Sequence, residues 1–145
     1  MSYKYRISKT MNVNARPEII FKILTEVGKW TLWTKSVKSM TLLNKDIFEQ
    51  GTKIKIVQPK LLPMTWKVTK MEKDKSFTWV ASSFGLRITS KHIIEVKDDT
   101  TSVKLITIYE GILAGLIYKM TVKLTNNYMT MEIEGLKEAA EKVHI

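Results

Sequence analysis

Residues 112–143 read ILAGLIYKMTVKLTNNYMTMEIEGLKEAAEKV. At helical period Tyr118, Val122, Met129, Ile133, Leu136, Ala140 and Val143 fall on one side, at spacings of 4, 7, 4, 3, 4 and 3. That rhythm belongs to a helix with one face against apolar neighbours. No proline interrupts the stretch, and Gly111 and Gly115 stand at its start. Such a helix is about 45 Å long at 1.5 Å per residue. A compact chain of 145 residues accommodates it only by wrapping around it. The spacing therefore predicts a sheet gripping one long helix, which starts between Gly111 and Leu116 and ends near Val143.

The residues before it supply the sheet. Tyr3 to Val13 alternates, with Tyr5, Ile7, Met11 and Val13 on one side, interrupted by Lys9. Pro17 and Glu18 then open a short helix that buries Ile20, Phe21 and Leu24 and is expected to end at Gly28. Trp30 and Trp33 suggest one more turn or a tight loop packed into the core. Val37 to Leu43 reads as a mixed strand, and Asn44 to Gly51 as a turn. Four alternating segments follow: Lys53 to Ile56, Met64 to Val68, Phe77 to Ala81, and Leu86 to Val96. In the last of these Leu86, Ile88, Ser90, His92, Ile94 and Val96 share the inner face. After the polar turn at Lys97 to Thr100, Val103, Leu105, Thr107 and Tyr109 face inward on a final strand. Lys53, Lys55, Lys67, Arg87, Lys91, Lys97 and Lys104 take the opposite phase, which places much of the charge on the outer side of one antiparallel sheet. The design is α+β, a single domain over residues 1–145.

Composition narrows the function. The chain has no cysteine, which excludes disulfides and thiol chemistry. Its N-terminus has no apolar signal region, and Ile112 to Leu124 contains Lys119 and Lys123 and is too short to span a bilayer, so a cytoplasmic location is expected. The formal charge of +10, from 24 Lys+Arg against 14 Asp+Glu, invites a polyanion partner. Aromatics that alternate with lysines along a strand face away from them, however, so no specific nucleic-acid binding is expected. There is no His, Cys, Asp or Glu cluster spaced for a metal, no phosphate-binding glycine loop and no nucleophile elbow. No cofactor and no metal are expected.

Four stretches together resemble the START-like (SRPBCC) superfamily, and within it the polyketide cyclase/dehydrase and lipid-transport group. They are Ala15 to Thr25, with its Pro-x-x-hydrophobic-Phe opening; Val27 to Trp33; Asp99 to Val103 with Ile108 to Gly111; and Gly135 to Glu141. The chain departs from many relatives in carrying Thr31 and Thr34 where they have a proline near the tryptophans. The resemblance implies a helix-grip fold: a curved antiparallel sheet of about seven strands around a long C-terminal helix, with two short helices after the first strand. It also implies an apolar cavity between sheet and helix. Members bind lipids, polyketides or other hydrophobic small molecules, and some are enzymes.

On that basis the expected function is binding or transport of a small hydrophobic ligand, lipid-, polyketide- or aromatic-like, in this cavity. The expected lining is Trp33, Met64, Trp66, Trp79, His92, Leu105, Tyr109, Tyr118, Val122 and Met129. Aromatics offer broad apolar contact and methionine adapts to irregular shapes, although the same residues would fill an ordinary core. The alternative is a cyclase/dehydrase-like enzyme with His92 as general base; the bland reading is a core histidine satisfied by a neighbour such as Ser90 or Tyr109. His144 is expected to fray. Glu132, at the edge of the helix's inward face, either pairs with a surface lysine or enters the cavity. A second apolar stripe, Leu113, Leu116, Ile117, Met120, Leu124 and Met131, lies across the helix. Cover by the loop around Leu61, Leu62 and Pro63 is the simpler expectation for it; a homodimer through Leu116, Met120 and Leu124 is the sharper one.

Overall fold

The computed structural model describes residues 4–143; Tyr3 and His144 lie outside the described residues. Strand β1 (Lys4–Asn12) is followed by helix α1 (Pro17–Thr25) and a short 3-10 helix (Val27–Leu32). Strands β2 (Ser39–Leu42), β3 (Lys53–Val57), β4 (Met64–Glu72), β5 (Ser76–Ser83), β6 (Leu86–Lys97) and β7 (Thr100–Glu110) come next, and helix α2 (Ala114–Glu141) closes the chain. The seven strands form one antiparallel sheet in the order β1-β7-β6-β5-β4-β3-β2. This is the helix-grip arrangement, with α2 starting within the expected window.

Tight β5–β6 and β6–β7 turns set the register, so that His92 stands opposite Leu105 and Phe77, and Ile88 opposite Tyr109. The inner phase of every long strand is consequently buried: Trp66 and Val68, Phe77 and Trp79, Ile88 and Ile94, Val103 and Leu105. Between Val68 and Lys70 the pairing of β4 with β5 slips by one residue. Such a bulge bends its strand and increases the local twist, which helps a sheet curl around a helix.

Helix α1 ends three residues before the expected Gly28. The Thr25 hydroxyl bonds back to the Phe21 carbonyl at 2.8 Å, and the Trp30 indole N–H takes the Leu24 carbonyl at 2.9 Å. The Glu26 N–H takes the Lys22 carbonyl and the Trp30 indole the Leu24 carbonyl, so two of the last four carbonyls are satisfied without a glycine cap. Gly28 lies inside the 3-10 helix instead. At the departure from the family pattern, Thr34 is buried. Its hydroxyl lies 2.9 Å from Ser36 Oγ and accepts the Ser36 N–H at 3.2 Å, which shapes the turn without proline.

Three further expectations are corrected. Val96 is exposed, because β6 extends past the end of α2's cover into the β6–β7 hairpin. Val143 lies beyond the end of α2 and is exposed. The loop at Leu61 to Pro63 does not cover the second stripe of α2: Leu62, Leu113, Leu116, Met120 and Met131 are all exposed. That loop is tied elsewhere, where the Tyr128 hydroxyl donates to the Pro59 carbonyl further along the helix.

Candidate functional site

The space between sheet and α2 has two parts with different packing. Towards the 3-10 helix an aromatic cluster fills it. The Trp79 ring lies 5.5 Å from Trp30, 6.1 Å from Trp66 and 5.0 Å from Phe77. Phe48 reaches in edge-on from the β2–β3 loop, 5.1 Å from Phe77. The loop holds Phe48 there through Thr52, whose buried hydroxyl donates to the Ile47 carbonyl at 2.7 Å and accepts the Glu49 N–H at 3.0 Å.

His92 belongs to this cluster. Its imidazole stacks on Phe77 at 4.0 Å and meets Trp79 edge-on at 5.2 Å. Its Nδ1–H donates to the Phe77 carbonyl at 3.3 Å. The histidine is therefore satisfied, by a backbone carbonyl across the β5–β6 ladder rather than by Ser90 or Tyr109. Burial pushes its pKa down to about 3, so the ring is neutral near pH 7. A general base works best with a pKa near the operating pH, and His92 lies well below it.

Towards the start of α2 the interior is more polar and its side chains are less fully buried. Tyr118 stacks on Tyr5 at 4.9 Å and meets Tyr109 edge-on at 5.6 Å, and the Tyr109 hydroxyl donates to Thr125 at 2.9 Å. Tyr118, Val122 and Thr125 remain half-buried, whereas Met129, Ile133, Leu136 and Ala140 of the following turns are buried. The Thr107 hydroxyl donates to the Met129 sulfur at 3.3 Å.

Two polar groups stand out. Thr125, Met129, Glu132 and Leu136 follow one another at spacings of 4, 3 and 4, so Glu132 occupies the stripe that faces the sheet. Burial pushes its carboxyl up to about 8, and no hydrogen bond or positive partner offsets that desolvation. The residue as a whole is nevertheless half-buried. The lysine pairing left open by the sequence is not made. Trp33 presses against the next turn of α2, where a Cβ on Gly135 would lie 2.0 Å from the Trp33 carbonyl oxygen. Its indole Nε1 is buried without a partner.

The family described as polyketide cyclase/dehydrase and lipid transport matches residues 4–141. The chain belongs to that family. No curated protein matches the sequence. Solved structures share this family member's fold. The major latex-like protein 151 of Panax ginseng superposes with a TM-score of 0.77 at 10% identity, over 94% of this chain and 97% of that one. Truncated norcoclaurine synthase of Thalictrum flavum gives 0.74 at 11%, over 99% and 97%. A hypothetical protein of Helicobacter pylori gives 0.74 at 15%, over 95% and 88%. At these identities the similarity concerns fold alone.

Within this family member, the ten residues expected at the cavity all belong to the interior cluster or pack against it. Trp66, Trp79, His92, Leu105, Tyr109 and Met129 are buried; Trp33, Met64, Tyr118 and Val122 are half-buried around them. Two surface clefts lie elsewhere. One, of about 590 Å³, runs along Asn12 to Pro17, Thr100 and Lys137; another, of about 450 Å³, lies on the sheet's outer face at Lys53, Lys67 and Arg87. Neither is lined by any of the ten. Sequence reasoning missed Phe48, because a lone aromatic in a polar loop has no period. It also missed Thr125 as an inward residue, although the 4-3-4 spacing through Met129 and Leu136 marks it.

Proposed function

We propose that this protein binds a small hydrophobic molecule between the sheet and the first half of α2, in contact with Trp66, Tyr109, Tyr118, Val122 and Met129. The observation that carries the reading is the Trp33 Nε1–H, buried against α2 without a partner among the described residues. Buried polar groups are almost always hydrogen-bonded, and an unpaired one costs about 1–3 kcal/mol. Such a group, with the desolvated Glu132 carboxyl one turn away along α2 from the helix's contact with Trp33, fits a site completed by a guest with a polar end. Apolar contact would supply the affinity, at roughly 25 cal/mol per Å² before entropic losses, and the polar groups the orientation. Membership of the polyketide cyclase/dehydrase and lipid-transport family supports the same class of guest.

Catalysis with His92 as base is the weaker reading, because the ring is enclosed by Phe77, Trp79 and Trp30 and burial makes it a poor proton acceptor. The test is native mass spectrometry of the protein purified from its own source. A co-purifying lipid- or polyketide-like mass, released on denaturation, is the expected result. Mass equal to that of the bare chain, together with no change in melting temperature across a panel of fatty acids and polycyclic aromatics, would count against the proposal.

A further inference from the structure

The outer face of α2 carries a feature that an interior ligand does not use. Phe84 is 89% exposed, Ile112 77%, Leu116 57% and Met120 71%. They form one continuous ridge. Phe84 sits in the β5–β6 turn, and that turn is fastened to the start of α2: the Leu113 N–H donates to the Gly85 carbonyl at 2.8 Å. A Cβ on Gly111 would lie 2.5 Å from the same oxygen, so only glycine permits this approach, at φ +113°. Leu116 and Met120 continue the ridge one and two turns along the helix. Lys119 and Lys123, both exposed, flank it on one side.

Charge decides what covers this ridge. No acidic residue occurs between Glu110 and Glu132, so the only charges that the first half of α2 presents to solvent are positive. Glu110, at the border, is already paired with Lys4 at 3.6 Å. A second copy docking through a two-fold axis would set Lys119 and Lys123 against their own images with no carboxylate nearby. An anionic lipid surface meets both requirements: its headgroups attract the lysines, and its acyl boundary takes up the apolar ridge.

We infer that the β5–β6 turn and the first half of α2 form a peripheral docking surface for anionic phospholipid bilayers. Phe84, Ile112, Leu116 and Met120 enter the interface, and Lys119 and Lys123 lie at the headgroups. This does not depend on whether an interior ligand is bound.

Vesicle flotation tests it, with phosphatidylcholine alone and with phosphatidylcholine mixed with phosphatidylglycerol. The protein is expected to float with the mixed vesicles, to remain behind with phosphatidylcholine alone, and to be released by high salt. Leu116→Ser/Met120→Ser should abolish flotation, and Lys119→Glu/Lys123→Glu should lower the bound fraction several-fold. All four positions are at the surface, so an unchanged melting temperature is expected and confirms the fold of each variant. Wild-type protein that never floats, or flotation that both double variants retain, overturns the inference. So does light scattering that shows a dimer dissolved by Leu116→Ser/Met120→Ser, because a second copy would then occupy the ridge.

Discussion

The imidazole of His92 lies flat on the ring of Phe77, with centroids 4.0 Å apart and planes 9° apart. On the two central strands β5 and β6, this pair holds a titratable group where protonation is opposed. At Glu132 on α2, burial opposes ionisation instead. The two groups bias stability in opposite directions with pH.

For His92 the folded value, about 3, lies below the ordinary 6.5. The unfolded chain therefore takes up the proton first, and stability falls as pH drops from 6.5 towards 3, by at most about 1.4 kcal/mol per pH unit. For Glu132 the folded value, about 8, lies above the ordinary 4.5. The folded chain retains the proton longer, so this contribution is full below pH 4.5 and is lost as pH rises to 8. Between 4.5 and 6.5 the slopes oppose each other. Thermal melts across pH should show a broad maximum there, a decline below 4.5 that His92→Phe reduces, and a decline above 6.5 that Glu132→Gln removes.

Gly135→Ala should be destabilising by about 1–3 kcal/mol through overpacking, because the new methyl would meet the backbone oxygen of Trp33. Helix propensity alone predicts the opposite sign, a gain of about 1 kcal/mol. Chemical denaturation of the variant distinguishes the two.

Tyr128→Phe removes the donor that holds the Pro59 carbonyl. The expected cost is about 0.5–1.5 kcal/mol. Hydrogen exchange should show faster exchange in residues 58–63, with β6 and β7 unchanged. Equal acceleration throughout the sheet would mean that the bond supports the whole fold rather than the loop.

The fold was legible because its carriers are periodic. Alternation along β4 to β7 marked the inner faces, and the rhythm of α2 marked the gripped helix. Where a local bond competes with a pattern, the sequence was less informative: the Trp30 indole takes the Leu24 carbonyl at the end of α1, and that bond has no sequence signature. The apolar ridge of Leu116 and Met120 was visible as a stripe, but whether a loop covered it depended on where Tyr128 fastens Pro59. The site was only partly legible. Inward phase places Trp66, Trp79 and Tyr109 correctly on the inner face, yet it does not distinguish a side chain packed against neighbours from one that faces free space. Glu132 shows the limit, since a carboxylate on a core stripe reads as an edge residue until its surroundings are known.

Calorimetric titration with fatty acids and polycyclic aromatics, on wild type and on Val122→Trp, tests interior binding most directly. Val122 is half-buried on the inward stripe and packs against the core. Saturable one-to-one binding of some member of the panel to wild type is expected. Binding to the filled variant should be at least about tenfold weaker, 1.4 kcal/mol, with the unliganded melting temperature retained. Absence of binding to wild type, or equal binding to both proteins, would contradict interior binding.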